Sequence, residues 1–198
     1  MRAGTVVVLV GLLCLSALPG AAQPPEGGGM SPEMAAMMAA YEAAGTPGAP
    51  HQELAKGVGN WKLTVTWWME PGAEPMVSEA TSTRAALFGG RYLEEKVQGL
   101  MMGAPFEGYG LTGYDNVRGK YWSIWIDSMS TGVMASEGEA DASGAVVLHG
   151  TYPDAMTKGM TKVKTVLSRE GDGKEKMEMW EDKGGEMVKT MEITSVRQ

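Results

Sequence analysis

The chain has little cysteine, histidine or phenylalanine: its 198 residues include one Cys, two His and two Phe. A single cysteine excludes a disulfide framework within the chain and any cysteine-based zinc site. Two histidines are too few for a histidine-rich metal site, and the sequence has no nucleophile elbow, phosphate loop or zincin motif. We therefore predict no metal ligands and no catalytic residues, and the cofactor, if any, is left open.

Basic residues are also in the minority, with 17 Lys and Arg against 24 Asp and Glu and a net charge of −7. Nucleic-acid binding relies on clustered Lys and Arg that contact phosphates, so this balance argues against a nucleic-acid partner. The length suits one domain with short appendages and is sufficient for a hydrophobic core.

Long apolar runs are absent except for Val6 to Leu18, which is too short to span a bilayer comfortably. Arg2 precedes the run, and Gly20–Ala22 offers the small residues of a signal-peptidase site. We therefore expect a signal peptide over residues 1–22 and export, to the periplasm if the source is a diderm bacterium. Cys14 follows a leucine rather than a small residue, so lipid anchoring is not expected.

Residues 23–50 are predicted to form a linker followed by an amphipathic helix. Pro and Gly dominate 23–29, Ser31 suits an N-cap before a proline, and Gly45 ends the helical segment. Apolar side chains recur every three to four residues and share one face: Met30, Met34, Met37, Met38 and Tyr41. We interpret this face mainly as a packing or docking stripe, with a thioether site for Cu(I) as the alternative.

From Gly59 onward the pattern is that of β-strands. Trp61, Leu63, Val65 and Trp67 alternate with polar residues, which is typical of a half-buried strand. Similar segments separated by Gly- and Asp-rich turns predict nine further strands, near 76–87, 91–100, 106–114, 120–127, 132–139, 145–151, 161–168, 174–181 and 186–196. No crossover helix separates them, so residues 51–198 are predicted to form an antiparallel meander β-barrel of about ten strands.

The two ends of the predicted barrel domain suggest how it closes. A short helix near 50–57 is followed by Gly59-Asn60-Trp61 on the first strand, and Arg197 ends the last strand. This arrangement resembles the lipocalin and calycin superfamily. It predicts a structural pair in which the Arg197 guanidinium stacks on Trp61 within about 6 Å and plugs one barrel end.

A closer resemblance covers most of the chain and is carried by several short stretches: 47–51, 59–61, 88–91, 101–108, 113–115, 125–131 and 189–193. These stretches resemble domain-of-unknown-function family 1579, a bacterial family with lipocalin-like barrels. The chain departs from the family in 151–158, where members tend to carry an Asp-Pro pair. The resemblance implies the fold and a shared site along these stretches, and it implies no activity.

The candidate site residues are aromatic, polar or charged side chains on predicted strands and turns. Asp127 shares a strand face with Trp125 and is expected to lie within reach of Arg91, whereas His149 is expected to line the cavity. The predicted ligand-binding set is Trp67, Arg91, Tyr109, Tyr114, Trp125, Asp127, Met129 and His149.

The favoured function is that of an exported barrel that binds a small apolar or amphipathic molecule in its interior. One alternative is an isomerase or hydrolase that uses Asp127 or His149 as a base. Another is an envelope structural or partner-binding module that docks through its Met-rich arm. The oligomeric state is left open.

Overall fold

The computed structural model of the protein describes residues 30–198, and the predicted signal peptide and most of the linker lie outside this range. The chain divides into two units, Met1–Met38 and Ala39–Gln198. Within residues 30–198, neither helix combines the length and the apolar character that crossing a bilayer requires.

Two short helices precede the barrel. α1 spans Pro32–Gly45, and the Ser31 hydroxyl accepts a hydrogen bond from the Met34 amide at 3.2 Å, as expected of an N-cap. No residue of α1 is buried, and its methionine face is exposed to solvent. α2 spans Ala49–Ala55 and coincides with the short helix predicted before the first strand.

Ten antiparallel strands follow and close into a barrel, so the predicted fold class is confirmed. The strands are β1 (Gly59–Trp67), β2 (Met76–Leu87), β3 (Tyr92–Met101), β4 (Ala104–Asp115), β5 (Lys120–Asp127), β6 (Met134–Ala140), β7 (Val146–Pro153), β8 (Met160–Arg169), β9 (Lys174–Asp182) and β10 (Met187–Arg197). Each strand pairs with its neighbours in sequence, and β10 pairs with β1 to close the ring. Closure leaves no unpaired sheet edge.

The alternation of side chains assigns an inner and an outer face to every strand. Trp61 and Leu63 are almost fully buried and define the inner face of β1. The register then identifies the inner face of every other strand, because residues opposite each other on neighbouring strands point to the same side of the sheet. The buried core is centred on Trp61, Leu63 and Val97, with Phe106 and Trp125 packed against it.

One end of the barrel, called here the covered end, is closed by α2, Trp61 and Arg197. The Trp61 ring lies between two guanidinium groups, with Arg197 Cζ at 4.3 Å and Arg84 Cζ at 4.9 Å from the ring centroid. Trp61 Nε1 donates to the Gly57 carbonyl at 2.9 Å, and Arg197 donates to the carbonyls of Val58 and Lys56. The tryptophan thereby plugs the barrel, and the arginine ties the last strand to the residues that enter the first.

An ion-pair network supports the covered end from within. Arg84 Nε donates to Glu95 at 2.8 Å and Arg84 Nη1 donates to Glu175, which also accepts from Arg169 at 2.7 Å. Burial alone would lower the pKa of Arg84, but the two carboxylates raise it above its ordinary value. The buried charges at this end are therefore paired, which limits their desolvation cost.

Candidate functional site

The opposite end, called here the open end, is formed by the five hairpin connections that follow β1, β3, β5, β7 and β9. Inward-facing apolar side chains of β1, β9 and β10 in this half remain partly exposed, unlike Leu63 beside Trp61, whereas Val163 on β8 is buried. The partly exposed inward residues of these three strands are Val65, Trp67, Met177, Met179, Met191 and Ile193. These inward-facing apolar side chains, which still contact solvent, define the candidate binding site.

Part of this site is a row of cross-strand neighbours. Met76, Trp67, Met191 and Met179 are consecutive register partners on β2, β1, β10 and β9. Opposite residues on one sheet face have Cβ atoms about 5 Å apart, so these side chains form a continuous wall. Methionine is flexible and polarisable, and such a wall can adapt to the shape of an apolar ligand.

A second wall is formed by Trp125 and its neighbours on β4. An ideal Cβ on Gly108 would lie 2.3 Å from Trp125 Cζ2, and one on Gly110 would lie 3.3 Å from Cε3. The two glycines therefore let the indole lie flat on the inner surface of β4. Trp125 Nε1 donates to Asp127 Oδ2 at 2.9 Å, and Asp127 Oδ1 accepts from the Met129 amide at 2.9 Å.

Two further polar side chains lie at the open end and contact each other: Glu181 of β9 and Tyr152 of β7. Glu181 is 8% exposed, and Lys183 Nζ lies 2.6 Å from its Oε2. Burial, together with the charge and the hydrogen bond of Glu181, raises the pKa of Tyr152 to about 12. Tyr152 is therefore neutral at physiological pH, and its hydroxyl donates to the Glu181 carboxylate.

Four of the eight predicted ligand-binding residues face the barrel interior: Trp67, Tyr114, Trp125 and Asp127. Tyr114 lies at the covered end, where its ring packs edge-on against Tyr121 at 4.9 Å and His51 at 5.8 Å. His51 Nδ1 accepts a hydrogen bond from the Gly48 amide at 3.0 Å, so the imidazole accepts rather than donates at this helix start. The structure thus brings three of the eight predicted residues to the open half of the barrel interior: Trp67, Trp125 and Asp127.

The other four predicted residues lie elsewhere. His149 is exposed and faces outward, because its register partner on β8 is Lys164 while the neighbouring Leu148 and Gly150 face inward. Tyr109 also faces outward beside Glu94, and partial burial and this carboxylate raise its pKa. Met129 is exposed on the connection after β5.

Arg91 and Asp127 do not form the predicted pair. Arg91 lies in the turn between β2 and β3 at the covered end, where its Nη1 donates to the Phe88 carbonyl at 2.8 Å. Asp127 ends β5 at the open end. The antiparallel register separates the two residues along the barrel axis, which sequence patterns alone do not show.

The important residues outside the predicted set are Tyr152, Glu181 and the inward methionines of β9 and β10. The alternation of Glu175, Met177, Met179 and Glu181 with polar residues gives a period of two on β9. Both faces of β9 carry charged residues, however, so the inward face becomes identifiable only from the register with β8 and β10.

The fold and this interior define the class of protein: a lipocalin-like, closed antiparallel β-barrel with one covered and one open end. The chain belongs to the family described as protein of unknown function DUF1579, whose model matches residues 46–197. No curated protein sequence is similar enough to count as a relative of this chain.

Two solved structures share the fold. An S-type phycobiliprotein lyase, CPES, from Guillardia theta has a TM-score of 0.56 and 11% sequence identity, with 76% of this chain and 93% of that chain covered. Rv2717c from M. tuberculosis has a TM-score of 0.52 and 14% identity, with 76% of this chain and 98% of that chain covered. Similarity at these identities shows the fold alone.

The stretches that carry the family resemblance separate into two groups in the structure. Residues 47–51, 59–61, 88–91 and 113–115 lie at the covered end. Residues 101–108, 125–131 and 189–193 lie in the open half. The first group lies around the closure at Trp61, and the second lies around the candidate binding site, so these stretches fall in two regions of the barrel.

Proposed function

We propose that the protein binds a small, partly apolar molecule in its barrel and that the ligand enters through the open end. The proposal rests on one observation: inward-facing apolar side chains of β1, β9 and β10 near the open end stay partly exposed, whereas Leu63 and Val97 beside Trp61 are buried. A ligand that covers exposed apolar surface inside the barrel removes this surface from water, which lowers the free energy of the complex. Trp67, Met179 and Met191 supply this surface.

The experiment is a titration with Nile red, a neutral apolar dye whose fluorescence rises in an apolar environment. We expect saturable binding at one site per chain. Changing Met179→Gln places an amide in the apolar wall at nearly constant side-chain length and should weaken binding about three- to tenfold. The matched control is Met156→Gln, because Met156 is 91% exposed on the connection between β7 and β8.

Equal affinities in the two variants would contradict binding inside the barrel. A dye that fails to bind the wild-type protein would contradict the ligand-binding function itself. Thermal unfolding of each variant shows whether the barrel is intact, and Met179 is partly exposed, so a polar replacement is compatible with folding.

We also propose that the ligand is met outside the cytoplasm, since residues 1–22 have the pattern of a signal peptide. The protein recovered from its own host should begin at Gln23, and intact mass spectrometry reads this directly. Retention of Met1, or a lipid on Cys14, would refute the proposed processing.

A further inference from the structure

Asp127 is an inward-facing carboxylate at the open end that has no cationic partner within 4 Å among residues 30–198. Its two oxygens accept from neutral donors, Trp125 Nε1 and the Met129 amide. Each carboxylate oxygen keeps capacity for a further hydrogen bond. At the covered end, by contrast, the inward carboxylates Glu95 and Glu175 are both paired with arginine.

The indole of Trp125 lies directly beside this carboxylate. One face of its ring rests on the backbone of β4 at Gly108 and Gly110. The ring also packs against the core around Val97 but stays partly exposed, so part of its other face is turned toward the barrel interior. An indole face is the best aromatic site for a cation, and the attraction increases when water is displaced. Trp125 and Asp127 therefore offer one cation two favourable contacts, a π face and a negative charge at the ring edge.

The charges around the open end have the same sign. Its connections and strand ends carry seven acidic residues: Glu70, Glu74, Asp127, Asp154, Glu181, Asp182 and Glu186. They carry two lysines, Lys158 and Lys183, and the Lys183 ammonium is paired with Glu181 at 2.6 Å. The resulting negative potential favours the approach of cations and disfavours anionic amphiphiles.

We propose that the ligand is an organic cation, an amphiphile with an amine or quaternary ammonium group bound by Trp125 and Asp127 and an apolar portion against the methionine wall. This inference rests on the proposed ligand-binding function, because it assigns the chemical class of the molecule that would bind at the same site. The role of Asp127 is to bind and orient the cationic group, and no bond is made or broken.

Calorimetric titration with three ten-carbon amphiphiles tests the assignment: decyltrimethylammonium, 1-decanol and decanoate, each below its aggregation concentration. We expect the cation to bind at least about tenfold more tightly than the anion, with a preference that shrinks as salt is raised. This order of affinities is read on the wild-type protein and does not depend on any variant being folded.

Asp127→Asn removes the charge and keeps a side-chain oxygen that can accept from Trp125. It should weaken binding of decyltrimethylammonium about five- to tenfold and leave 1-decanol unchanged. The matched control is Asp172→Asn, which makes the same charge change at the covered end, where the Asp172 carbonyl rather than its carboxylate accepts from Arg197.

The outcomes separate the two proposals. Binding of all three amphiphiles with similar affinity would overturn the cationic assignment and leave a general apolar site. Equal losses in Asp127→Asn and Asp172→Asn would also overturn it, because the preference would then follow net charge alone. If none of the three binds, both the cationic assignment and the ligand-binding function are wrong.

Discussion

At the scale of the single residue, the covered end depends on Trp61, whose ring is stacked between the guanidinium groups of Arg84 and Arg197. The ring is fully buried and its Nε1 is bonded to the Gly57 carbonyl. Large buried aromatic side chains leave a cavity when truncated, because the surrounding barrel relaxes only in part. The stacked arginine also satisfies backbone carbonyls, so its loss exposes polar groups as well as removing a contact.

Trp61→Ala should therefore lower the free energy of unfolding by about 3–5 kcal/mol, and Arg197→Ala by about 1–2 kcal/mol. Chemical denaturation measures both values. The two losses should not add in a double-mutant cycle, since the changes remove one shared contact. Strict additivity would show that the stacking carries no stability.

Gly108 is a second residue whose identity is explained by its packing, because the Trp125 ring lies close to its backbone. A Cβ at this position would overlap the Trp125 ring, at 2.3 Å from Cζ2, whereas a Cβ on Gly110 would be 3.3 Å from Cε3. Gly108→Ala should lower stability by about 1–3 kcal/mol by overpacking, and Gly110→Ala should cost less than about 1 kcal/mol. Gly108→Ala should also weaken binding of decyltrimethylammonium, because the indole must move. Equal stability losses in the two variants would contradict this packing.

At the scale of the element, β9 and β10 are joined on the outer face by a charge cluster of Lys176, Glu178, Lys189 and Glu192. Lys189 Nζ lies 2.6 Å from Glu178 Oε1 and also pairs with Glu192, while Lys176 Nζ lies 3.1 Å from Glu178. The hydrogen bond from Lys189 lowers the pKa values of both Glu178 and Glu192, and Lys176 lowers them further.

The lowered pKa values predict a loss of stability in acid. A carboxyl group whose pKa is lower in the folded state stabilises the fold above its unfolded pKa, and the effect disappears as pH falls through the lowered folded value. Glu178→Gln should thus be less stable than wild type by under about 1 kcal/mol at pH 7, with a difference that shrinks as pH falls through the lowered pKa of Glu178. Unfolding curves across pH test this against Glu74→Gln, whose carboxylate is in an exposed connection. A difference that stays constant as the carboxylates are protonated would assign the loss to packing.

The first helix offers a further test at this scale. Residues 30–38 are exposed, and the barrel unit begins at Ala39. Within that unit, Asn116 Nδ2 donates to the carbonyls of Ala43, Ala44 and Thr46. A chain that begins at Ala39 should therefore melt within a few degrees of one that begins at Gln23, whereas Asn116→Ala should lower the melting temperature by more.

The elements were predictable because each strand combines a period of two with Gly- and Asp-rich turns, and sequential hairpins admit few topologies. Short connections rich in Gly, Asp or Asn did not need long-range information, since local turn chemistry sets them. The site was less predictable. His149 and Leu148 are neighbours on one strand, and only the register with β8 shows that the histidine faces outward.

At the scale of the whole molecule, the side chains inside the barrel differ between the covered end and the open end. Trp61, its stacked arginines and the paired carboxylates occupy the covered end. Partly exposed apolar side chains occupy the open end together with Asp127, which has no cationic partner among residues 30–198. All twelve methionines of the strands and their connections lie toward the open end. We therefore expect stability to depend mainly on the covered end, and we propose the open end as the place where a ligand binds.

Methionine-methyl NMR during titration with 1-decanol tests binding inside the barrel most directly, because methionines lie both on the inward face of β9 and β10 and on the exposed helix α1. We expect the methyl resonances of Met177, Met179 and Met191 to shift together and saturate, while those of Met34 and Met37 on α1 stay unchanged. Shifts confined to the exposed methionines, with Met177, Met179 and Met191 unaffected, would contradict binding inside the barrel.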